Sequence, residues 1–291
     1  MAPLRRPVRC GHGLHWRRSR HRHGHRGHVG GDVDALLVVL LAVLLTAFIF
    51  APLGLGGGLL FVPILHYFAG WPLDTATLVV SLLLTFSVSL GSGAVHHREG
   101  LIDVSSVRRL APFAMLGAIA GAVIVHLLGD ALDPVFKALA LTLVVWACVK
   151  VGRRLQHGVN EKDGGDLRPV PLSVGAGFGG GASAVLAIGA GAIYIPVLNQ
   201  FGGLPSRRAI GTSLGLMVLV VPVAILVHAG LHAENWPEVW VLVLLPACAM
   251  LGAILGARVG LRLPDVVILR VFLVLLCIIA VRYAIDLVGR V

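Results

Sequence analysis

Two glycine-rich segments hold the residues whose chemistry is easiest to interpret. Residues 54–63 read GLGGGLLFVP, and residues 187–196, 133 positions later, read AIGAGAIYIP. The positions that correspond are Gly56 with Gly189, Gly58 with Gly191, and Pro63 with Pro196. Because glycine has no Cβ, neighbouring backbone N–H groups can converge on a ligand, and a helix that starts there presents its positive dipole end. The pattern predicts an anion-binding element used twice.

Both segments lie inside long apolar runs. The chain has 291 residues, of which 57% are hydrophobic and 13% are charged, whereas soluble domains carry about 25% charged residues. Continuous runs of about 20 apolar residues are typical of helices that cross a bilayer core about 30 Å thick. Alternating runs would indicate a barrel instead. We therefore expect an all-α polytopic protein of the cytoplasmic membrane, with the lipid bilayer as its surroundings.

The first apolar run must be interrupted. It extends over residues 34–69, and one helix of that length would measure about 54 Å, much more than a bilayer requires. The glycine cluster is the expected break. One interpretation is that the glycines only permit a kink. We favour a functional reason, because unwound backbone at membrane depth costs several kcal/mol for each unpaired group.

Other polar residues at membrane depth are candidates for the same site. His66 and Asn199 occupy matching positions after the two prolines, where they are either donors that face the site or residues at the membrane interface. Four hydroxyl side chains on the following helices could donate to substrate oxygens, namely those of Ser81, Thr85, Thr212 and Ser213. Such hydroxyls often bond to their own backbone instead. The predicted substrate-binding residues are Gly54, Gly56, Gly57, Gly58, Pro63, His66, Ser81, Gly189, Gly191, Pro196, Asn199, Thr212 and Ser213.

Two sets of ionisable residues allow alternative interpretations. Lys137 and Arg270 match at the 133-residue offset, and each could extend to the lipid headgroups or attract anions at a vestibule. His96, His97 and His228 close the second spans of the two halves. They could carry a coupling proton, or they could be loop histidines at the membrane interface.

The chain divides into four parts. Residues 1–33 form a basic tail with eight arginines and one aspartate, which we expect to be disordered. Residues 34–151 form a first repeat, residues 152–168 a polar linker, and residues 169–291 a second repeat. Since most of the net charge of +10 lies in the tail, the composition does not indicate a nucleic-acid partner.

Each repeat is expected to contain a Gly-broken helix followed by three spanning helices, which makes eight spans, or ten if the broken elements count twice. The connection after the second span is basic in the first half and acidic in the second, and the connection after the third span shows the reverse. Under the positive-inside rule this pattern indicates inverted repeats. A plain eight-span bundle is the alternative. Glycines four residues apart in the third spans predict helix-packing faces; they are Gly117, Gly121, Gly252 and Gly256.

Enzymatic chemistry finds little support in the sequence. The chain has no HExxH motif and no acid pair at membrane depth, and its four cysteines lack CxxC spacing. We therefore predict no enzymatic activity, no metal site and no cofactor.

The segment 54–58 followed by Val62 and Pro63, its repeat ending at Pro196, and residues 209–214 (AIGTSL) resemble the sulfite exporter TauE/SafE family. The resemblance implies a duplicated helical carrier for sulfite, sulfonates or related organosulfur acids. Two family glycines are replaced by Ala187 and Ala190. We expect a secondary transporter that uses alternating access at the broken helices, with a small anion as substrate, a candidate coupling proton and a candidate homodimer. An anion channel with a glycine-lined pore is the alternative.

Overall fold

The computed structural model describes residues 29–157, 167–231, 238–262 and 265–288, and within these ranges the regular elements are all helices. Residues 1–28 of the predicted tail and 158–166 of the predicted linker lie outside the described residues. The helices are α1 (Val29–Phe50), α2 (Gly58–Pro63), α3 (Thr75–Arg98), α4 (Val104–Leu128), α5 (Leu132–His157), α6 (Pro169–Leu186), α7 (Gly191–Phe201), α8 (Ser206–Leu231), α9 (Val239–Gly260) and α10 (Asp265–Val288). The predicted all-helical class is confirmed.

Seven stretches of helix in the described part of the chain are long and apolar enough to cross a membrane. They are Leu36–Leu53, Thr75–Arg98, Val104–Leu128, Leu132–Val149, Pro169–Leu186, Ser206–Leu231 and Val239–Gly260, with shorter apolar helices at Gly58–Phe68 and Leu276–Ile285. Their length follows from the continuous apolar runs, since about 20 residues at 1.5 Å each span the hydrocarbon core.

The first broken element turns back on itself. A short 3₁₀ turn follows α1, and three glycines then adopt positive φ angles, 66° at Gly54 and 73° at both Gly56 and Gly57. Only residues without a Cβ adopt such angles readily. Beyond this turn α2 runs back beside α1, since Thr46 of α1 and Leu60 of α2 line the same cavity. The glycine cluster therefore forms the tip of a helical hairpin.

The second broken element has the same construction. Its turn contains Ala187, the one non-glycine residue with positive φ (48°) in the described part of the chain. The N–H of Arg168 donates to the carbonyl of Phe201 at 2.8 Å, which places the start of α6 beside the end of α7. Nearer the tip, Gly175 of α6 lies against Val197 of α7. We refer to α1–α2 as hairpin 1 and to α6–α7 as hairpin 2.

The two halves pack reciprocally. Helix α9 packs on α1 and α3, and α4 packs on α6 and α8, so the third span of each half contacts the hairpin of the other half. Backbone approach is close because glycines face these contacts: Gly117 and Gly121 lie on Gly177 and Gly181, and Gly252 and Gly256 lie on Leu44 and Phe48. The prediction that these glycines form packing faces is confirmed.

The central pair of helices is antiparallel. Gly93, near the end of α3, lies beside Leu214 of α8, and Leu101, just beyond α3, lies against Gly211, nearer the start of α8. Two of the helix starts are capped by aspartates: the N–H of Thr77 donates to Asp74 at 2.9 Å, and Asp103 caps α4 in the same way. Helices α3 and α8 both reach the hairpin tips, since Thr85 of α3 and Met217 of α8 lie beside Gly56 and Gly189.

Candidate substrate site between two hairpin tips

The tips of the two hairpins are in direct backbone contact. A methyl group at Gly58 would lie 2.5 Å from the Cα of Ile188 and 2.6 Å from the nitrogen of Gly189. A methyl group at Gly191 would overlap the carbonyl oxygen of Gly54. Neither position has room for a Cβ. The structure thus brings together five of the predicted site residues, namely Gly54, Gly56, Gly58, Gly189 and Gly191.

Each tip is held by a serine from the other half. Ser81 of α3 donates to the carbonyl of Ala187 at 2.9 Å. Ser213 of α8 donates to the carbonyl of Gly54 at 3.1 Å, and to its own helix at 2.8 Å. Gly54 and Ala187 are equivalent positions in the repeat, and both adopt left-handed backbone, so their carbonyls have left the helical ladder. We refer to this pair of hydrogen bonds as the serine clasp.

A buried histidine in one half and a buried serine in the other hold the hairpin carbonyls one turn earlier. His228 Nε2 lies 3.1 Å from the carbonyl oxygen of Ala184. At the equivalent place in hairpin 1, Ser92 donates to Ala51 at 2.8 Å, and His96 Nδ1 lies 2.9 Å from the carbonyl of Ser92. Both histidines are buried. The interpretation of these two residues as loop histidines is therefore wrong, since each lies within a helix and packs behind a hairpin tip.

Thr85 and Met217 lie where both tips meet. The Thr85 hydroxyl is buried, has no hydrogen-bond partner among the described residues, and would lie 2.8 Å from a methyl group at Gly58. The sulfur of Met217 would lie 3.2 Å from a methyl group at Gly56 and 2.6 Å from one at Gly189. Sequence reasoning considered Thr85 only as one hydroxyl among several and missed Met217. The signal was available, because the two residues are equivalent at an offset of 132.

Comparison with known proteins identifies the family of this chain. The model of the sulfite exporter TauE/SafE family matches residues 39–283. The chain belongs to this family. Over 185 residues it is 30% identical to a probable membrane transporter protein of Haemophilus influenzae, a match that covers 61% of this chain and 67% of that protein. No solved structure matches. The TauE/SafE protein described here is therefore a multi-pass membrane transporter, and the plasma membrane is its expected location.

Four predicted site residues of this TauE/SafE protein lie away from the tips. His66 Nδ1 is 2.7 Å from the carbonyl oxygen of Trp71, and the side-chain amide of Asn199 donates to the carbonyl of Leu204 at 2.9 Å. These equivalent bonds close the turn after each hairpin. Pro63 and Pro196 line two cavities of about 560 and 670 Å³ on the outer sides of hairpins 1 and 2.

Two further predicted site residues, Gly57 and Thr212, lie next to the tips and stabilise the surrounding backbone. Gly57 adopts its positive φ in the turn of hairpin 1, with its hydrogen facing the ring of Phe61. Thr212 accepts a hydrogen bond of 3.0 Å from the N–H of Asp103 and so ties α8 to the connection before α4. The hydroxyl of Thr212 therefore faces the α3–α4 connection, one residue away from the serine clasp.

The carboxylate of Asp103, in the connection between α3 and α4, contacts three neighbouring residues. It accepts from the N–H of Ser106 at 3.2 Å and from the hydroxyl of Ser105 at 3.0 Å, and the Arg208 guanidinium lies 3.9 Å away. A hydrogen bond from the side-chain hydroxyl of Ser106 is the main cause that lowers the pKa of Asp103 below its ordinary value. The carboxylate is therefore ionised at neutral pH and caps the start of α4.

The two matching cations have different surroundings. Lys137 is 1% exposed and lies 3.2 Å from Asp133, so it forms an ion pair within α5. The interpretation that Lys137 extends to the headgroups is wrong. Arg270 is exposed, which agrees with a side chain that reaches the membrane surface. Arg282 of α10 lies over the ring of Tyr67, 4.6 Å from its centre, beside hairpin 1.

Proposed function

We propose that this TauE/SafE protein is a secondary carrier that binds small sulfur-containing anions, such as sulfite and sulfonates, between the two hairpin tips. The observation that supports this most strongly is the meeting of two unwound, glycine-lined segments in the interior of the protein. In the first turn of α7, which starts at Gly191, the N–H groups of Ile193 and Tyr194 donate to the Ala190 carbonyl. The N–H groups of Gly191 and Ala192 have no acceptor within the helix, and bulk water does not reach this depth. A bound anion satisfies them, and the positive end of the helix dipole favours its charge.

The transport cycle we propose is alternating access between inverted halves. The hairpins enter from opposite sides, each half crosses the membrane three more times, and α3 and α8 separate the two openings. The antiparallel contact of α3 with α8 supports this arrangement, as do the two hairpins that return to the side they entered from. The charges agree, because the connections that would face the cytoplasm carry Arg98, Arg108, Arg207, Arg208, Arg258 and Arg262.

The contact between the tips also bears on the alternative function. An anion channel requires a continuous pore, whereas backbone atoms of Gly58 and Ile188 leave no space for a methyl group between the tips. Binding of an anion there requires the tips to separate. Opening of this contact to one side at a time corresponds to a carrier cycle, so the channel with a glycine-lined pore is not favoured.

The topology has a direct test. Pro72 and Pro205 are equivalent and exposed, and each follows a hairpin. In a variant whose native cysteines are replaced by alanine, Pro72→Cys and Pro205→Cys should react with an impermeant thiol reagent from opposite sides of the membrane. A plain eight-span bundle places both on the same side. Labelling of both from one side would overturn the inverted arrangement.

The site has a separate test, flux of sulfite and methanesulfonate into proteoliposomes. We expect saturable uptake by the wild type and its loss in Gly58→Val. The matched control is Gly230→Ala, a helical glycine of α8 around which no atom lies within 4 Å; it should transport normally. Saturable, wild-type flux in Gly58→Val would contradict the proposed site. Single-channel currents would contradict the carrier.

A further inference from the structure

Thr85 and Met217 are equivalent in the repeat but differ in chemistry. Both are fully buried, and both contact the two hairpin tips. Any space that opens between the tips is therefore bordered by both side chains, with the Thr85 hydroxyl beside Gly58, and with the Thr85 methyl group and the Met217 thioether beside Gly56 and Gly189. The hydroxyl donates and accepts hydrogen bonds, whereas the thioether has no donor and is only a weak acceptor.

The state of the Thr85 hydroxyl indicates a ligand. Hydroxyls in helices ordinarily donate to the carbonyl one turn earlier, as Ser89 does to the Thr85 carbonyl at 2.8 Å and Ser87 does to Leu83 at 3.0 Å. The Thr85 side chain makes no such bond within the described residues. A buried hydroxyl without a partner is unfavourable. Its position beside Gly58 means that a ligand between the tips would restore the missing hydrogen bond.

The polar residues around the site are distributed unequally. Besides Thr85, helix α3 presents three buried hydroxyls on neighbouring turns, from Ser81, Ser89 and Ser92. At the equivalent positions of α8 only Ser213 is polar, and it is followed by Met217, Val221 and Ala224. The three serines donate to backbone carbonyls, so of these four α3 hydroxyls it is that of Thr85 that can donate to an anion. The equivalent α8 position offers an apolar, polarisable thioether.

This asymmetry distinguishes between sulfur oxyanions. Sulfite and sulfonates carry three oxygens on one side of the sulfur atom and a lone pair or a carbon group on the other. Sulfate carries oxygens on all four sides. A sulfate ion in this space would place one oxygen against the Met217 thioether, where no donor replaces its hydration.

We propose that Thr85 and Met217 make the carrier selective for sulfite and sulfonates over sulfate. Thr85 donates to one of the three oxygens, and Met217 contacts the oxygen-free side of the anion. This inference rests on the proposed function, since it assigns the selectivity of the same site. The proposed substrates are therefore pyramidal sulfur oxyanions with one side that carries no oxygen.

The test compares uptake of sulfite, methanesulfonate and sulfate by the full-length protein in proteoliposomes. Met217→Thr supplies a hydroxyl at the position equivalent to Thr85 and should lower the sulfite-to-sulfate uptake ratio about tenfold, the effect of one hydrogen bond to a charged group. Met217→Leu keeps an apolar surface and should retain the wild-type ratio. Because the readout is a ratio, it is independent of how much folded protein each preparation contains.

A separate pair of variants tests the Thr85 hydroxyl. Thr85→Val should lower uptake of sulfite and methanesulfonate about tenfold, while Thr142→Val, which removes a hydroxyl that bonds to its own helix at Ala138, should have no effect. A wild type that transports sulfite together with an unchanged ratio in Met217→Thr would overturn the selectivity inference alone. A wild type that transports none of the three anions would overturn this inference and the proposed function together.

Discussion

Removal of one serine of the clasp should loosen the hairpin of the opposite half. Ser81 lies on α3 in the first half, yet its hydroxyl holds the carbonyl of Ala187 in hairpin 2 at 2.9 Å. Ser213 lies on α8, and its hydroxyl holds the carbonyl of Gly54 in hairpin 1 at 3.1 Å. Ser81→Ala therefore acts on hairpin 2, and Ser213→Ala acts on hairpin 1.

The expected magnitude follows from the burial of the groups involved. Both serines are fully buried, so each alanine variant leaves a carbonyl that no water can reach. A buried acceptor left without its partner costs about 1–3 kcal/mol, and hydrogen bonds between membrane helices contribute about 0.6–2 kcal/mol. We expect about 1.4 kcal/mol for Ser81→Ala, which corresponds to a tenfold increase in local opening. Ser213→Ala should have less effect, because the Ser213 hydroxyl is shared between the carbonyls of Gly54 and Ile210.

Amide hydrogen exchange measured by mass spectrometry in detergent or nanodiscs would detect this. In Ser81→Ala, exchange should rise about tenfold in peptides covering residues 184–191 and stay at the wild-type rate in peptides covering residues 51–58. The matched control is Ser87→Ala, which loses only a bond within its own helix. An equal rise in both hairpins, or no larger rise than in Ser87→Ala, would refute the reasoning.

Three other predictions concern stability. Asp103 has a lowered pKa in the folded protein, so its stabilising effect is present above its unfolded pKa of about 3.9 and disappears as the pH falls through the lower folded value. The melting-temperature difference between wild type and Asp103→Asn should therefore shrink as the pH falls below about 4, and a difference that stays constant would contradict this prediction. His66→Asn should keep the wild-type melting temperature, because Asn199 makes the equivalent hydrogen bond with an amide. His66→Ala should lower the free energy of unfolding by about 1 kcal/mol. Equal melting temperatures for the two variants would contradict the assignment of His66 to the turn after hairpin 1. Ala187→Gly should raise the free energy of unfolding by about 0.5 kcal/mol, since it relieves left-handed strain of about 1–2 kcal/mol at an entropic cost of about 0.4–1 kcal/mol. Ala190→Gly, at a φ of −66°, should lower it. If chemical denaturation gives changes of the same sign for both variants, the strain argument is wrong.

Much of the fold was accessible from the sequence because it depends on local chemistry. Apolar runs set the positions of the long helices, and the length of residues 34–69 required a break at Gly54–Gly58. The 133-residue offset revealed the repeat, and glycine spacing revealed the packing faces of α4 and α9. Each of these signals lies within one segment or in a comparison of two segments.

The site was less accessible because it is made by contacts between halves. Nothing in the residues near Ser81 indicates that its partner is the carbonyl of Ala187, 106 positions away. Ala187 itself has a left-handed backbone that its residue type disfavours, so only the tertiary contact holds it there. Met217 belongs to no motif, and its importance arises from its place between two tips.

The function of a polar side chain was hardest to predict where that side chain forms a hydrogen bond with a backbone carbonyl. His66 and Asn199 were expected to face a substrate, yet each bonds to a nearby carbonyl. His96 and His228 lie near helix ends, and their burial depends on packing that sequence position does not reveal. Polar side chains at unwound backbone in a membrane protein are needed first to pair exposed carbonyls.

The most direct measurement of the central claim is the position of a bound anion in an experimental structure. Bromomethanesulfonate carries a sulfonate group and a bromine atom that anomalous scattering can locate. We predict that the sulfonate lies between the tips at Gly58 and Gly189, within hydrogen-bond distance of the Thr85 hydroxyl, and that the bromine lies on the Met217 side. A bound anion found only outside the tips, for example in the cavity beside Pro196, would contradict the account.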